Sequence, residues 1–143
     1  MSWAEIARMS GLSCARVFRA QYEFVEESPP GIEDDTSPDG ALQITWGDDS
    51  STVFDVNSDW TLSVERGPWV NPLAGADPDI FGRWSLTEIE SPEPLAIAIG
   101  AVALEVSTGI NEMKELVGIE IRFARCLVRI DSWAGELRCS VET

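Results

Sequence analysis

The chain has no histidine, one lysine, one tyrosine and only three cysteines in its 143 residues. Without histidine it has no imidazole general base, no Ser-His or Cys-His nucleophile pair and no His-ligated metal site. Cys14, Cys126 and Cys139 form no C-x-x-C pair, and three thiolates alone do not complete a common tetrahedral zinc site. They read as small buried residues of a reducing compartment, with a Cys126–Cys139 disulfide left open. Positive charge is scarce as well: ten Lys and Arg face 25 Asp and Glu, for a net charge of −15. Phosphate binding rests on clustered Lys and Arg, so a nucleic-acid partner is not expected. Long apolar runs are missing too. The longest, from Leu95 to Leu104, is broken by Gly100 and covers about half of the ~20 residues a membrane helix needs. The N-terminal residues place Glu5 where a signal peptide carries bases, so a cytoplasmic location is expected.

What is present is enough for a core. Apolar residues make up 44% of the chain, and a domain of this length buries roughly 70% of its unfolded surface. One domain spanning 1–143 is therefore expected. Nine arginines against one lysine suggest a GC-rich bacterial coding bias.

Along the chain, Ser2-Trp-Ala-Glu5 has the capping-box pattern, and Trp3, Ile6 and Met9 recur at helical spacing before Gly11. A short helix is predicted over about 3–10, then an extended segment from Cys14 to Val25. Residues 26–40, with three prolines and six acids, read as a mobile loop. Three alternating segments follow, carrying Leu42, Ile44 and Trp46, then Phe54 and Val56, then Trp60, Leu62 and Val64. They predict a three-stranded meander with Trp46 and Trp60 facing the core. Residues 83–89 suggest one further strand.

The same order then recurs. Ser91 and Gly100 match Ser2 and Gly11 at an offset of 89, and 101–106 match the first extended segment. Ile119, Ile121 and Phe123 echo Leu42, Ile44 and Trp46; Val128 and Ile130 supply a middle strand, and Leu137, Cys139 and Val141 a last one. Both meanders end on Ser-Val-Glu, at Ser63–Glu65 and Ser140–Glu142. The expected fold is α+β, mostly β, with two pseudo-symmetric β-meander repeats packed together, each preceded by a short helix. Repeat 1 covers about 1–66, a connecting loop 67–90, and repeat 2 about 91–143. Each meander buries one face and needs the other to cover it.

Motifs for chemistry are few. Asp55-Val-Asn57-Ser-Asp59 begins like a calcium loop, but Trp60 and Arg66 stand where glycine and a bidentate glutamate are required. Glu33-Asp34-Asp35 with Asp39, or Asp48-Asp49, offer oxygen ligands, yet adjacent acids in such loops are ordinarily solvated. No glycine-rich phosphate loop precedes a helix. Neither a metal, a cofactor nor a catalytic residue is expected. Among six tryptophans, Trp69 in Gly67-Pro-Trp-Val-Asn-Pro72 and Trp133 in its turn are the expected exposed interface anchors.

The distribution of charge is the sharper clue. Residues 23–65 hold twelve acids and no base, residues 84–118 sum to −5, and residues 119–143 are neutral. A surface so concentrated favours a basic protein partner, by raising encounter rates and rejecting like charge. In size, acidity, β-rich duplicated layout and its acid-rich stretch 23–65, the chain resembles the small acidic immunity proteins that bacteria make against nuclease-like toxins. The resemblance implies a non-catalytic inhibitor that occludes a basic cleft. Glu33, Asp34, Asp35, Asp48, Asp49, Asp55 and Asp59 would then mimic phosphates, with Trp69 as an apolar anchor. Two alternatives stand beside it. One is a small-molecule binder or His-independent enzyme with a site between the repeats, built on Asp, Glu, Arg or Tyr22; the other is an assembly module that dimerises through a strand edge.

Overall fold

The computed structural model describes residues 2–23 and 39–143, which form two antiparallel β-sheets with little helix. Helix α1 (Ser2–Met9) stops at Gly11, whose φ of +93° is the left-handed value that glycine takes at a helix end. Ile6 and Met9 are buried, as their spacing predicts, whereas Trp3 lies half exposed. Glu5 is buried. Its carboxylate turns inward and accepts from Arg8 Nε at 3.0 Å and from the Thr52 hydroxyl at 2.6 Å.

Strand β1 (Cys14–Glu23) pairs with β2 (Asp39–Trp46), β2 with β3 (Ser51–Val56), and β3 with β4 (Leu62–Arg66). The segment 67–90, expected as a connecting loop, holds the short helix α2 (Pro78–Phe81) and β5 (Arg83–Glu88). β5 pairs with the free edge of β1, giving the order β4-β3-β2-β1-β5. Asp39 and Gly40, assigned to a loop by their composition, open β2; residues 24–38 lie outside the described residues. A 3-10 helix, Pro94–Ala98, precedes the second sheet of β6 (Ala103–Ile110), β7 (Leu116–Phe123), β8 (Leu127–Trp133) and β9 (Glu136–Glu142), in sequential order.

The inner faces alternate as a half-buried sheet requires. Val17, Leu42, Ile44, Trp46, Phe54 and Val64 of the first sheet join Ile119, Ile121, Phe123, Val128 and Ile130 of the second in one apolar cluster. The Trp46 and Phe123 rings stack across it with centroids 6.4 Å apart, and Trp46 Nε1 donates to Thr52 Oγ1 at 2.8 Å. The second sheet's outer face carries ion pairs, Glu120–Arg129–Glu142 and Asp131–Arg138, all solvent-facing.

Two further expectations change. Trp60 is not a core residue. Asn57 N donates to Thr61 O and Trp60 N to Asn57 O, closing a turn in which Trp60 takes φ +67° and is 59% exposed. The alternation therefore begins only at Leu62. The shared Ser-Val-Glu also falls out of frame. With Leu42 matched to Ile119, the ladders run Leu42–Phe54–Val64 and Ile119–Ile130–Cys139, so Val64 corresponds to Cys139 and not to Val141.

Candidate functional site

The acids singled out in the sequence do not form one patch. Glu33, Asp34 and Asp35 lie outside the described residues. Asp48 and Asp49 occupy the β2–β3 turn, whereas Asp59 sits in the β3–β4 turn at the opposite end of β3, roughly 20 Å away for a six-residue strand. Asp48 is partly neutralised: Arg8 Nη1 lies 3.7 Å from it, and the Ser50 hydroxyl and amide donate to it. Those hydrogen bonds, the hydroxyl's first, hold its carboxyl below the usual range. Asp59 is held low in the same way by the Thr61 hydroxyl and amide, but no cation faces it among the described pairs. Asp55 and Asp59 share their end of the sheet with Glu23 and Asp39, the residues that flank the acid-rich stretch 24–38.

Asp55 and Trp69 do come together. Val53, Asp55, Ser63 and Glu65 from the outer faces of β3 and β4 meet Trp69 and Pro72 around a groove of about 330 Å3. Trp69 is half-buried, not free-standing, because its backbone N–H donates to Gln43 Oε1 at 2.9 Å and ties the segment to β2. Although Asp55 reaches solvent, desolvation in this groove pushes its carboxyl above the ordinary value, against the Val56 amide and the more distant Arg19.

Trp133 is exposed as its turn predicts; what sequence did not show is that this turn meets Trp60 at the same end. The β8–β9 hairpin turns on Ala134 and Gly135, with φ of +50° and +84°, and presents Trp133 at 60% exposure. Its tip meets the β3–β4 turn: the Ser132 hydroxyl donates to the Trp60 carbonyl, and the Trp60 indole lies over Gly135. Arg138 stacks its guanidinium 4.7 Å from the Trp133 ring centre and bonds Asp131 at 3.1 Å. Trp60, Trp133 and Arg138 thus line one rim, with Asp59 and Glu136 in the same two turns. The lost signal was register, since Trp60 alternates with Leu62 and Val64 in sequence but not in space.

Between the halves, a cavity of about 330 Å3 is lined by Arg19, Gln21, Glu93, Leu95 and Cys139 among others. An Arg and an acid therefore do converge there, but the arginine is engaged. Arg19 Nε donates to Gly40 O at 2.9 Å, Nη2 to Leu137 O at 2.7 Å and Nη1 to Cys139 Sγ at 3.3 Å. Arg19 so fastens β2 to β9. Replacing it by methionine, which keeps the aliphatic bulk, leaves two carbonyls without this donor and is expected to lower stability by about 2–3 kcal/mol. Chemical denaturation checks this; an unchanged midpoint would free Arg19 for a ligand. No disulfide joins the cysteines, and burial, with Cys126 nearby, pushes the Cys14 thiol up to about 12. No group of carboxylates or thiols that could hold a metal occurs among the described residues. No described helix is long and apolar enough to cross a membrane.

No protein-family model, no curated protein and no solved structure matches this chain.

Proposed function

We propose that the protein is a non-catalytic binding protein whose acidic first half covers a basic surface of another protein, as an inhibitor of the immunity type does. One observation carries this: twelve of the acids, with no base, fall within residues 23–65, while residues 119–143 are neutral. Asp55 and Asp59, at the end where Glu23 and Asp39 flank the acid-rich stretch, are the central contacts. Asp48 and Asp49 are secondary, since they lie at the far end and Asp48 faces Arg8. The partner is expected to be basic, and the product of the adjacent gene is the first to test. Its association rate should fall at least tenfold between low salt and about 0.5 M, because steering between charged surfaces is screened. Absence of binding, or a rate indifferent to salt, removes this reading.

The two halves are copies of one unit, a short helix followed by a four-stranded meander, related by an approximate two-fold axis. In favour of this, the main-chain bonds between them come in pairs that exchange under the offset of 89. Gly11 N to Ala103 O is matched by Gly100 N to Cys14 O, and Ala103 N to Leu12 O by Cys14 N to Ala101 O. The bridge Ser13–Val102 is its own mate, and Gly11 and Gly100 share left-handed φ values of +93° and +87°. On this view one scaffold was kept twice, and the first copy acquired most of the excess negative charge.

A further inference from the structure

We infer that the Trp60–Trp133 rim is the contact by which the protein takes hold of arginine or lysine side chains of its partner. This rests on the basic-partner reading and places its anchor on the two hairpin tips instead of at Trp69.

Exposed indole is costly in water, and two stand at one end of the molecule, on turns that meet through Ser132 and Gly135. Trp60 holds a left-handed φ of +67° where such turns ordinarily place glycine or asparagine, a strain that keeps its ring outward. The rim is also fixed in advance. Ser132 holds the Trp60 carbonyl, the Trp60 ring lies over Gly135, and Arg138, anchored by Asp131, lies over Trp133. Tryptophan and arginine are the side chains that dominate binding energy at protein interfaces. The Arg138 contact demonstrates that the Trp133 face accepts a guanidinium here. Asp59 directly precedes Trp60 and Glu136 pairs with Trp133 across the hairpin, so the charge that complements this end is positive. A second copy of the chain, itself at −15, is the less suitable occupant.

The probe is a fluorescently labelled deca-arginine peptide, titrated at low salt against the full chain and three variants. The wild-type protein and Trp3→Ala, which removes a comparably exposed tryptophan on α1, should bind alike. Trp60→Ala/Trp133→Ala, shown to be folded by its circular dichroism and melting curve, should bind about tenfold or more weakly. If that double variant binds like wild type, the rim is not the anchor, while the basic-partner reading stands. If wild type itself binds no peptide, both fall. Self-association of the wild type that the double substitution abolishes would assign the rim to a second copy and overturn the inference. Because tip substitutions can loosen the hairpins, Trp60→Phe/Trp133→Phe serves as the third variant: it keeps aromatic faces and should recover most of the affinity.

Discussion

Trp46→Ala is expected to lower the free energy of unfolding by about 4 kcal/mol, and the melting temperature by roughly 15 °C for a domain of this size. Trp46 is the largest fully buried side chain, stacks on Phe123 across the sandwich and donates to the Thr52 hydroxyl. Truncation loses the transfer energy of the indole, opens a cavity between two sheets that cannot collapse onto it, and leaves Thr52 without that donor. Trp46→Phe refills most of the volume but not the hydrogen bond, so it should cost about half as much. Denaturant titration of both variants checks the order. A loss below about 1.5 kcal/mol for Trp46→Ala would mean that the two sheets do not share a core there.

The second large effect is expected at Glu5. Its buried carboxylate accepts both from Arg8 and from Thr52, whose hydroxyl in turn accepts from Trp46, so helix, sheet and core tryptophan form one chain of bonds. The hydrogen bonds that Arg8 donates to Glu5 are the main reason that its guanidinium is held above its ordinary range. Glu5→Ala strips a buried hydroxyl and a partly buried cation of their partner and should cost about 3 kcal/mol; Glu5→Gln, which keeps an acceptor, should cost less. Because Glu5 and Trp46 act through Thr52, the double variant should be less destabilised than the two singles together by about 1 kcal/mol. Strict additivity in a denaturation cycle would show that the network carries no coupling.

Much of this architecture could be read from hydropathy alternation alone. Leu42, Ile44 and Trp46, then Ile119, Ile121 and Phe123, alternate over enough residues to fix both strand and buried face, and all are buried. The short helix before Gly11 and the strand from Arg83 were equally legible. What failed depended on one residue's backbone. Trp60 fits the alternation of β4, but a five-residue turn closed by Asn57 and Asp59 puts it in the left-handed region and out of the core. Glu5 fits a capping box, and spacing could not show that its carboxylate would accept from the Thr52 hydroxyl on β3. The acids were visible as a run in sequence, whereas their placement was not: β3 separates Asp48 and Asp49 from Asp59 by its whole length. Nor could spacing show that Trp60 and Trp133, on hairpins of different sheets, would meet through Ser132 and Gly135.

Whether binding follows where the charge lies or merely how much there is can be measured with two variants of equal net charge. Asp55→Lys/Asp59→Lys and Glu105→Lys/Glu112→Lys each reverse two exposed acids, one pair in the first half and one in the second, and raise the net charge of −15 by the same four units. Affinity for deca-arginine, read by fluorescence anisotropy at low salt and again near 0.5 M, should fall strongly for the first variant and little for the second, with the difference vanishing at high salt. Equal losses in the two variants would show that the acids act only through the total charge, and would contradict an acidic binding face on the first half.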